Sequence, residues 1–280
     1  MLLKRLFFIG AFALFISAAQ AQNLNVGTYN LRYHNADDSL NGNGWLQRYP
    51  VITQIIRFND LDIFGTQEGL YDMLVNLQNN LPGYKWIGLG RDDGKQAGEH
   101  SAIFYKATKF DLLDHGDFWL STITDLPNKG WDAVLPRICS WGKFKEKKTG
   151  FVFYFFNLHM DHIGVVARRE SAKLVLTKVT AMAGNIPTIL TGDFNVDQTS
   201  ESYAVVNNSG LLKDCYTLAP VKLANGGTFN DFNINTNNDS RIDHIFISKQ
   251  FTAQRYAILT NSYHGKLPSD HYPVVVVLGH

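Results

Sequence analysis

Asp193 and Asn195 stand two residues apart just after the apolar run 188–191 and Gly192, so a carboxylate and a carboxamide mark the end of a strand-like segment. The arrangement recurs along the chain. Residues 24–29 lead into Asn30, residues 63–67 into Glu68, and residues 151–158 into His159, with Asp161 and His162 just beyond. Arg241-Ile242-Asp243-His244 opens another run, and Ser269-Asp270-His271 precedes the last one, 274–278. Singly, these are ordinary residues: Asn, Asp and Gly form turns, and a lone histidine is commonly a hydrogen-bonded structural group. It is their conjunction at so many strand ends that points to chemistry, because a sheet could gather them at one edge.

The chemistry such a set suits is hydrolysis of a phosphate ester. Hard cations such as Mg²⁺, or Mn²⁺ in its place, take oxygen ligands from one or two carboxylates together with water and substrate phosphate. Glu68 and Asp270, with the side-chain carbonyl of Asn30, suit that role. A phosphoryl centre also needs a water deprotonated and aimed, and the charge of its transition state neutralised. Asp193 suits the base, Asn195 can orient the water or hold a metal, and the imidazoles of His159 and His271 can face the phosphoryl oxygens. A carboxylate that accepts the other ring N–H fixes a histidine's tautomer, and Asp243 is the candidate partner of His271. Arg91 and Arg137 are candidate contacts to a second anionic group, since arginine binds phosphate bidentately; exposed loop arginines are the alternative.

The elements that must position these groups are mostly strands. Strand-like runs cover 24–29, 63–67, 84–88, 101–105, 138–144, 151–158, 188–191, 242–248 and 274–278, rich in Val, Ile, Phe, Tyr and Thr and bounded by Gly, Asn, Asp or Pro. Apolar residues at helical spacing predict helices over 51–58, 70–81 and 167–182. Helices do not follow every strand, which argues against a doubly wound parallel sheet. An α/β fold of two packed sheets with helices outside fits better. The polar stretch 225–240 reads as a loop. Its alternating Asp231, Asn233, Asn235, Asn237 and Asp239 resemble a calcium loop only superficially, because Ile242 stands where such loops need a bidentate carboxylate.

The N-terminus has the order of a secretory signal: Lys4 and Arg5, an apolar run over 6–16, then Ala19-Gln20-Ala21. The apolar run is shorter than the ~20 residues of a membrane-spanning helix. The expectation is an export signal over 1–21 and one domain over 22–280, placed in the periplasm or outside the cell, with no transmembrane segment. The chain carries 26 Lys+Arg and 25 Asp+Glu; without Lys4 and Arg5 the balance is 24 against 25. A protein that grips nucleic acid non-specifically usually carries a basic excess, so nucleic acid is a less favoured partner than a small phosphorylated substrate. Cys139 and Cys215 could pair outside the cytoplasm, though spacing alone leaves that open. Trp45, Trp119 and Trp131 lie in loop-like surroundings, where a membrane-contacting aromatic would be sought.

At these residues the sequence resembles the endonuclease/exonuclease/phosphatase superfamily, which includes DNase I, abasic-site endonucleases, inositol polyphosphate 5-phosphatases, neutral sphingomyelinases and nocturnin-like deadenylases. The matching segments run in the family's order from Thr28-Tyr29-Asn30-Leu31-Arg32 through Gly65-Thr66-Gln67-Glu68, Asn157-Leu158-His159 and Gly192-Asp193-Phe194-Asn195 to Arg241-Ile242-Asp243-His244 and Ser269-Asp270-His271. The resemblance implies a four-layered α/β/β/α sandwich of two mixed sheets flanked by helices. It also implies metal-activated hydrolysis, with Mg²⁺ held by Asn30, Glu68 and Asp270, water activated by Asp193 with Asn195 in support, and His271, oriented by Asp243, at the phosphate. His159 takes the place of an asparagine found in the abasic endonucleases, and Phe156 lacks their phenolic hydroxyl, which turns the expectation away from DNA repair. The functional expectation is an exported, Mg²⁺-dependent, monomeric phosphoesterase acting on a nucleotide, sugar phosphate, inositol phosphate or lipid headgroup. A secreted nuclease is the alternative. A catalytically inactive binding module would be marked by loss of Asp193, His271 or Glu68, and all three are present.

Overall fold

The computed structural model describes residues 23–280; residues 1–22, which include the expected export signal, lie outside the described residues. The first strands are β1 (Asn23–Asn30), β2 (Ile63–Gln67), β3 (Tyr84–Ile87) and β4 (Ile103–Lys106). Then come β5 (Phe110–Trp119), β6 (Ile138–Glu146), β7 (Val152–His159), β8 (Thr188–Asp193) and β9 (Lys213–Asp214). The last are β10 (Val221–Leu223), β11 (Asp243–Ile247), β12 (Thr252–Ile258) and β13 (Val274–Gly279). The helices are α1 (Ala36–Leu40), α2 (Trp45–Phe58), α3 (Tyr71–Asn79), α4 (Val165–Ala183), α5 (Glu201–Asn207) and α6 (Cys215–Leu218).

The strands form two mixed sheets, one of seven strands in the order β10-β12-β13-β1-β2-β4-β3 and one of six in the order β5-β6-β7-β8-β11-β9. Alternation along each strand decides what lies where. Val26, Ile63, Ile103, Phe153, Phe155, Ile189 and Ile245 pack together between the sheets. Their neighbours turn the other way: Phe64 and Phe104 pack with Ile52, Ile56, Leu74 and Leu77 of α2 and α3, and Phe156, Leu190 and Phe246 with Val175 and Val179 of α4 and Val206 of α5. The result is four layers, helices on sheet on sheet on helices. Each fully buried Phe or Ile is worth roughly 1.5–3 kcal/mol, and both sheets are apolar on both faces, so neither could stand alone in water.

Toward one end the shared face between the sheets changes character. Beyond Val26, β1 presents Thr28 and then Asn30; beyond Phe155, β7 presents Asn157 and His159; beyond Ile189, β8 presents Thr191 and Asp193. The intermediate layer is a hydrogen-bond network in which, among the described residues, only Gln67 Oε1 is buried without a partner. Gln67 Nε2 donates to Asn157 Oδ1 at 2.7 Å and to Thr28 Oγ1 at 3.0 Å. Thr191 Oγ1 donates to the same Asn157 oxygen at 3.0 Å. Asn157 Nδ2 donates to the Thr66 and Ala102 carbonyls at 2.8 and 3.0 Å. Gly65 makes the approach of the sheets possible here, since a Cβ on it would lie 2.1 Å from Asn157 Oδ1. Apolar core, hydrogen-bonded polar layer and charged rim thus follow one another along the same strands.

Several elements depart from the sequence-based expectation for physical reasons. Helix α2 starts at Trp45 rather than 51, with Pro50 inside it; proline ordinarily ends a helix by removing a donor. Gln47 Oε1 caps the start by accepting the Gly44 N–H at 2.9 Å. Strands β5 and β12 were not expected, because each mixes polar and apolar residues and carries a bulge, at Leu112/Asp114 and at Ala253/Arg255. Trp45 and Trp119 are buried, which removes both as membrane-contacting loop residues. Cys139 and Cys215 are both free thiols and buried. Among the described residues no helix is long and apolar enough to cross a membrane.

Candidate active site

Register places the first three groups side by side. Asp193 ends β8, opposite His159 of parallel β7 and opposite Asp243 of antiparallel β11. Asn30 ends β1 and pairs with Gln67, the residue before Glu68. His271 bridges to Phe229 of the 225–240 loop just ahead of β13. Every one of these positions lies at the same end of the sandwich, on the polar continuation of the inter-sheet face.

The geometry centres on Asp193. Its Oδ2 accepts Asn30 Nδ2 at 3.0 Å and lies 3.5 Å from His159 Nε2 and 3.8 Å from His271 Nε2. Its Oδ1 accepts the Asn195 backbone N–H at 2.9 Å. The Asn195 side chain is held at the cleft by donating to the Met160 carbonyl at 2.9 Å. His271 Nδ1 lies 2.9 Å from Asp243 Oδ2, the pairing expected from sequence. Glu68 accepts Asn30 Nδ2 at 2.9 Å and the Tyr33 N–H at 3.2 Å. Asp270 Oδ2 lies 3.5 Å from Arg32 Nη1. Glu68, Asn195 and Arg32 all have positive φ, at 62°, 50° and 54°. Such conformations are uncommon for side chains of this size and cluster at functional sites.

Charge is concentrated beyond what these partners balance. Burial raises the Asp193 pKa, and the neighbouring Asp243 carboxylate adds to it. Burial also pushes Asp270 up to about 6, with Glu68 contributing. For His271, burial opposes the charged form, but Asp243 and Asp193 outweigh it and hold the pKa well above the ordinary histidine value. Burial, aided by the Arg137 charge, pushes His159 down to about 3, so this ring is neutral. One imidazolium, one imidazole and a set of crowded carboxylates share one cleft.

That donor set suits a hard divalent cation. Glu68, His159 and Asp193 offer ligand atoms all within 4.8 Å of one another, as do Asp193, Asp243 and His271. Carboxylate oxygens dominate, as Mg²⁺ requires, and a cation there would offset the burial and the Asp243 charge that raise Asp193. Asp270 belongs to neither group, but the Glu68 charge adds to the burial that raises it. Asn30 differs from expectation: its NH₂ faces Glu68 and Asp193 while its oxygen accepts the Arg32 N–H at 3.0 Å. Two carboxylates leave the amide only a donor's role on that side.

These groups open into a cleft of about 590 Å³, which Arg91 and Arg137 also line. Neither arginine is free. Arg91 holds Glu99 through two hydrogen bonds, at 2.6 and 2.8 Å. Arg137 Nε donates to Asp161 at 3.3 Å and Nη2 to His162 Nδ1 at 2.9 Å. The structure adds residues that sequence reading passed over. Arg32 and Glu99 line the cleft; Arg32 stands two residues after Asn30, a spacing that could have flagged it. Arg48 of α2 is wholly buried and donates to the carbonyls of Leu31, Arg32, Asn43 and Pro268. It ties the turn after β1 to the loop carrying Asp270. A lone arginine in an amphipathic helix gives no such signal. Phe229 meets the His271 ring edge-on, centroids 5.0 Å apart.

Residues 22–271 match the model of the endonuclease/exonuclease/phosphatase family. An endonuclease/exonuclease/phosphatase family protein of Bacteroides thetaiotaomicron is 55% identical over 93% of this chain and 96% of that one, with a TM-score of 0.91. A mannosyl-6-phosphatase of the same organism is also 55% identical, over 91% of this chain and 99% of that one, with a TM-score of 0.90. The human nocturnin catalytic domain, 20% identical over 91% of this chain and 93% of that one, shares the fold with a TM-score of 0.71. Comparison with curated proteins gives no match. On the family match and the two 55%-identical relatives, the chain belongs to the endonuclease/exonuclease/phosphatase family and is a hydrolase of phosphoric ester bonds.

Proposed function

We propose that the protein is an exported, Mg²⁺-dependent phosphatase that removes phosphate from a sugar phosphate. The observation that carries this reading is the convergence of Asn30, His159 and His271 on one oxygen of Asp193, beside Glu68, in an open polar cleft. The mannosyl-6-phosphatase at 55% identity supports a sugar phosphate over the other small esters. The order of charge, apolar run and Ala19-Gln20-Ala21 supports export and a mature domain over 22–280. Near-neutral charge weighs against nucleic acid.

The reaction adds water across the ester: the water oxygen bonds to phosphorus, the bond from phosphorus to the sugar oxygen breaks, and the sugar leaves as its alcohol. Asp193 takes the proton from the attacking water, its pKa raised by burial toward what a base needs. The His271 imidazolium, held by Asp243, meets the negative phosphoryl oxygens. Asn195 and neutral His159 orient the water and the phosphoryl group by hydrogen bonds. Glu68 and Asp270, with Asn30 beside them, would hold the cation, which when bound neutralises phosphoryl charge.

Phosphate release from hexose 6-phosphates, nucleotides, inositol phosphates, a phospholipid headgroup and oligonucleotides, with Mg²⁺ and then with excess chelator, tests the proposal. Chelator-sensitive turnover of the hexose phosphates above the rest is expected. Preferential cleavage of oligonucleotides, or turnover indifferent to chelator, would sink it.

A further inference from the structure

The cleft has a second wall, away from Asp193, built from Arg91, Glu99, Arg137 and His162. It is rigid. Arg91 and Glu99 face each other across the turn between β3 and β4, where the Arg91 N–H donates to the Glu99 carbonyl at 3.0 Å and the Asp92 N–H to the Ala97 carbonyl at 3.1 Å. Trp119 Nε1 pins the Arg91 carbonyl at 2.8 Å. Opposite, Asp161 takes the backbone N–H of Ile163 and Gly164 at 3.0 and 2.7 Å and Arg137 Nε at 3.3 Å.

The charges on this wall cancel in pairs, Arg91 with Glu99 and Arg137 with Asp161. A pocket for a second phosphate needs uncompensated positive charge, and this wall does not supply it. It supplies fixed donors beside fixed acceptors. Each Glu99 oxygen receives one guanidinium N–H and keeps capacity for another donor, and the Glu99 side chain is 16% exposed. Arg91 Nε and Arg137 Nη1 are buried and make no hydrogen bond among the described residues, Arg91 Nε lying 3.8 Å from Asp92 Oδ1. A carboxylate that accepts next to guanidinium groups that donate is the complement of adjacent hydroxyls, each of which is donor and acceptor at once.

We infer that the Arg91–Glu99–Arg137 wall is the subsite for the hydroxyls of the leaving group, so that the enzyme selects a polyhydroxylated, uncharged alcohol. The inference rests on the phosphatase reading and deepens it. Glu99 is the specificity-determining residue, because it is the wall's carboxylate acceptor and is partly exposed to the cleft. Glu99 Oε2 also lies 3.6 Å from His159 Nδ1, so the test must separate recognition of the sugar from any effect passed through the imidazole.

The ratio of kcat/KM for mannose 6-phosphate to that for p-nitrophenyl phosphate, which has no leaving-group hydroxyls, makes that separation. In Glu99→Gln the ratio falls about 10- to 100-fold, the range for losing one charged hydrogen bond. An unchanged ratio, whether activity on both falls or neither, overturns the subsite. A companion measurement uses the unaltered enzyme: free mannose competes with p-nitrophenyl phosphate and cyclohexanol does not, whereas equal inhibition by both, or by neither, overturns it. Wild-type protein inert toward both phosphates overturns the phosphatase reading itself, a distinct result.

Discussion

His271 Nδ1 and Asp243 Oδ2 meet at 2.9 Å with both side chains buried, one ahead of β13 and the other at the start of β11. The pairing fixes the ring so that Nε2 points toward Asp193, 3.8 Å away. Asp243 also keeps the ring cationic against the pull of burial. Asp243→Asn keeps the shape and removes the charge. We predict a fall in kcat of about 10²- to 10⁴-fold, the usual scale for a positioned proton-transfer or charge-stabilising group, with the circular dichroism spectrum unchanged. A kcat within threefold of wild type would show that the pair is only structural.

The polar layer beneath the site should be costly to break. Asn157 makes four hydrogen bonds in a fully buried position. Asn157→Ala removes one acceptor from Gln67 Nε2, which keeps Thr28 Oγ1, and the side-chain donor from the Thr66 and Ala102 carbonyls, of which Ala102 keeps the Thr66 N–H at 2.8 Å. The expected loss of unfolding free energy is about 2–4 kcal/mol, measured by urea denaturation at pH 7. A loss under 0.5 kcal/mol would mean that this layer adds no stability.

His244 gives the stability a pH dependence. It is buried among Phe194, Tyr203 and Phe246, and burial lowers its pKa below 6.5 despite Asp214 nearby. Below pH 6.5 the unfolded chain binds a proton there that the folded chain refuses, so stability falls as pH drops and is fully present above 6.5. The slope per such group reaches about 1.4 kcal/mol per pH unit, and His159, pushed down to about 3, acts in the same direction. His244→Phe should flatten the dependence of Tm on pH between 7 and 5. Parallel curves for the variant and the wild type would contradict this.

How far the sequence carried the account depends on where each residue's information lies. Asp193, Asn30 and His159 could be found because each ends an apolar run whose period of two already says which face it shares; Glu68 follows Gln67 out of that alternation, at a residue with φ of 62°. The His271–Asp243 pair followed from chemistry alone. The sheet order could not be read, since β1 lies between β13 and β2, elements far apart in sequence. Strand β12 escaped because Gln254 and Arg255 interrupt its apolar positions, as suits a strand covered only by short β10. The occupied state of Arg91 depended on Glu99, eight residues on, and only the tight turn between them brings the two together. Arg48 carried no signal, because its partners are backbone carbonyls contributed by distant loops.

The central claim is that Asp193 is the base on which the other groups converge. The most direct test is kcat of Asp193→Asn against wild type on the best hexose phosphate at saturating Mg²⁺, with folding checked by thermal denaturation. Replacing the carboxylate by an amide keeps the contacts' shape and removes the proton acceptor. We predict a loss of at least about 10³-fold with Tm equal to or above that of wild type, because a buried, crowded charge has been removed. A variant that retains kcat within threefold would contradict the account.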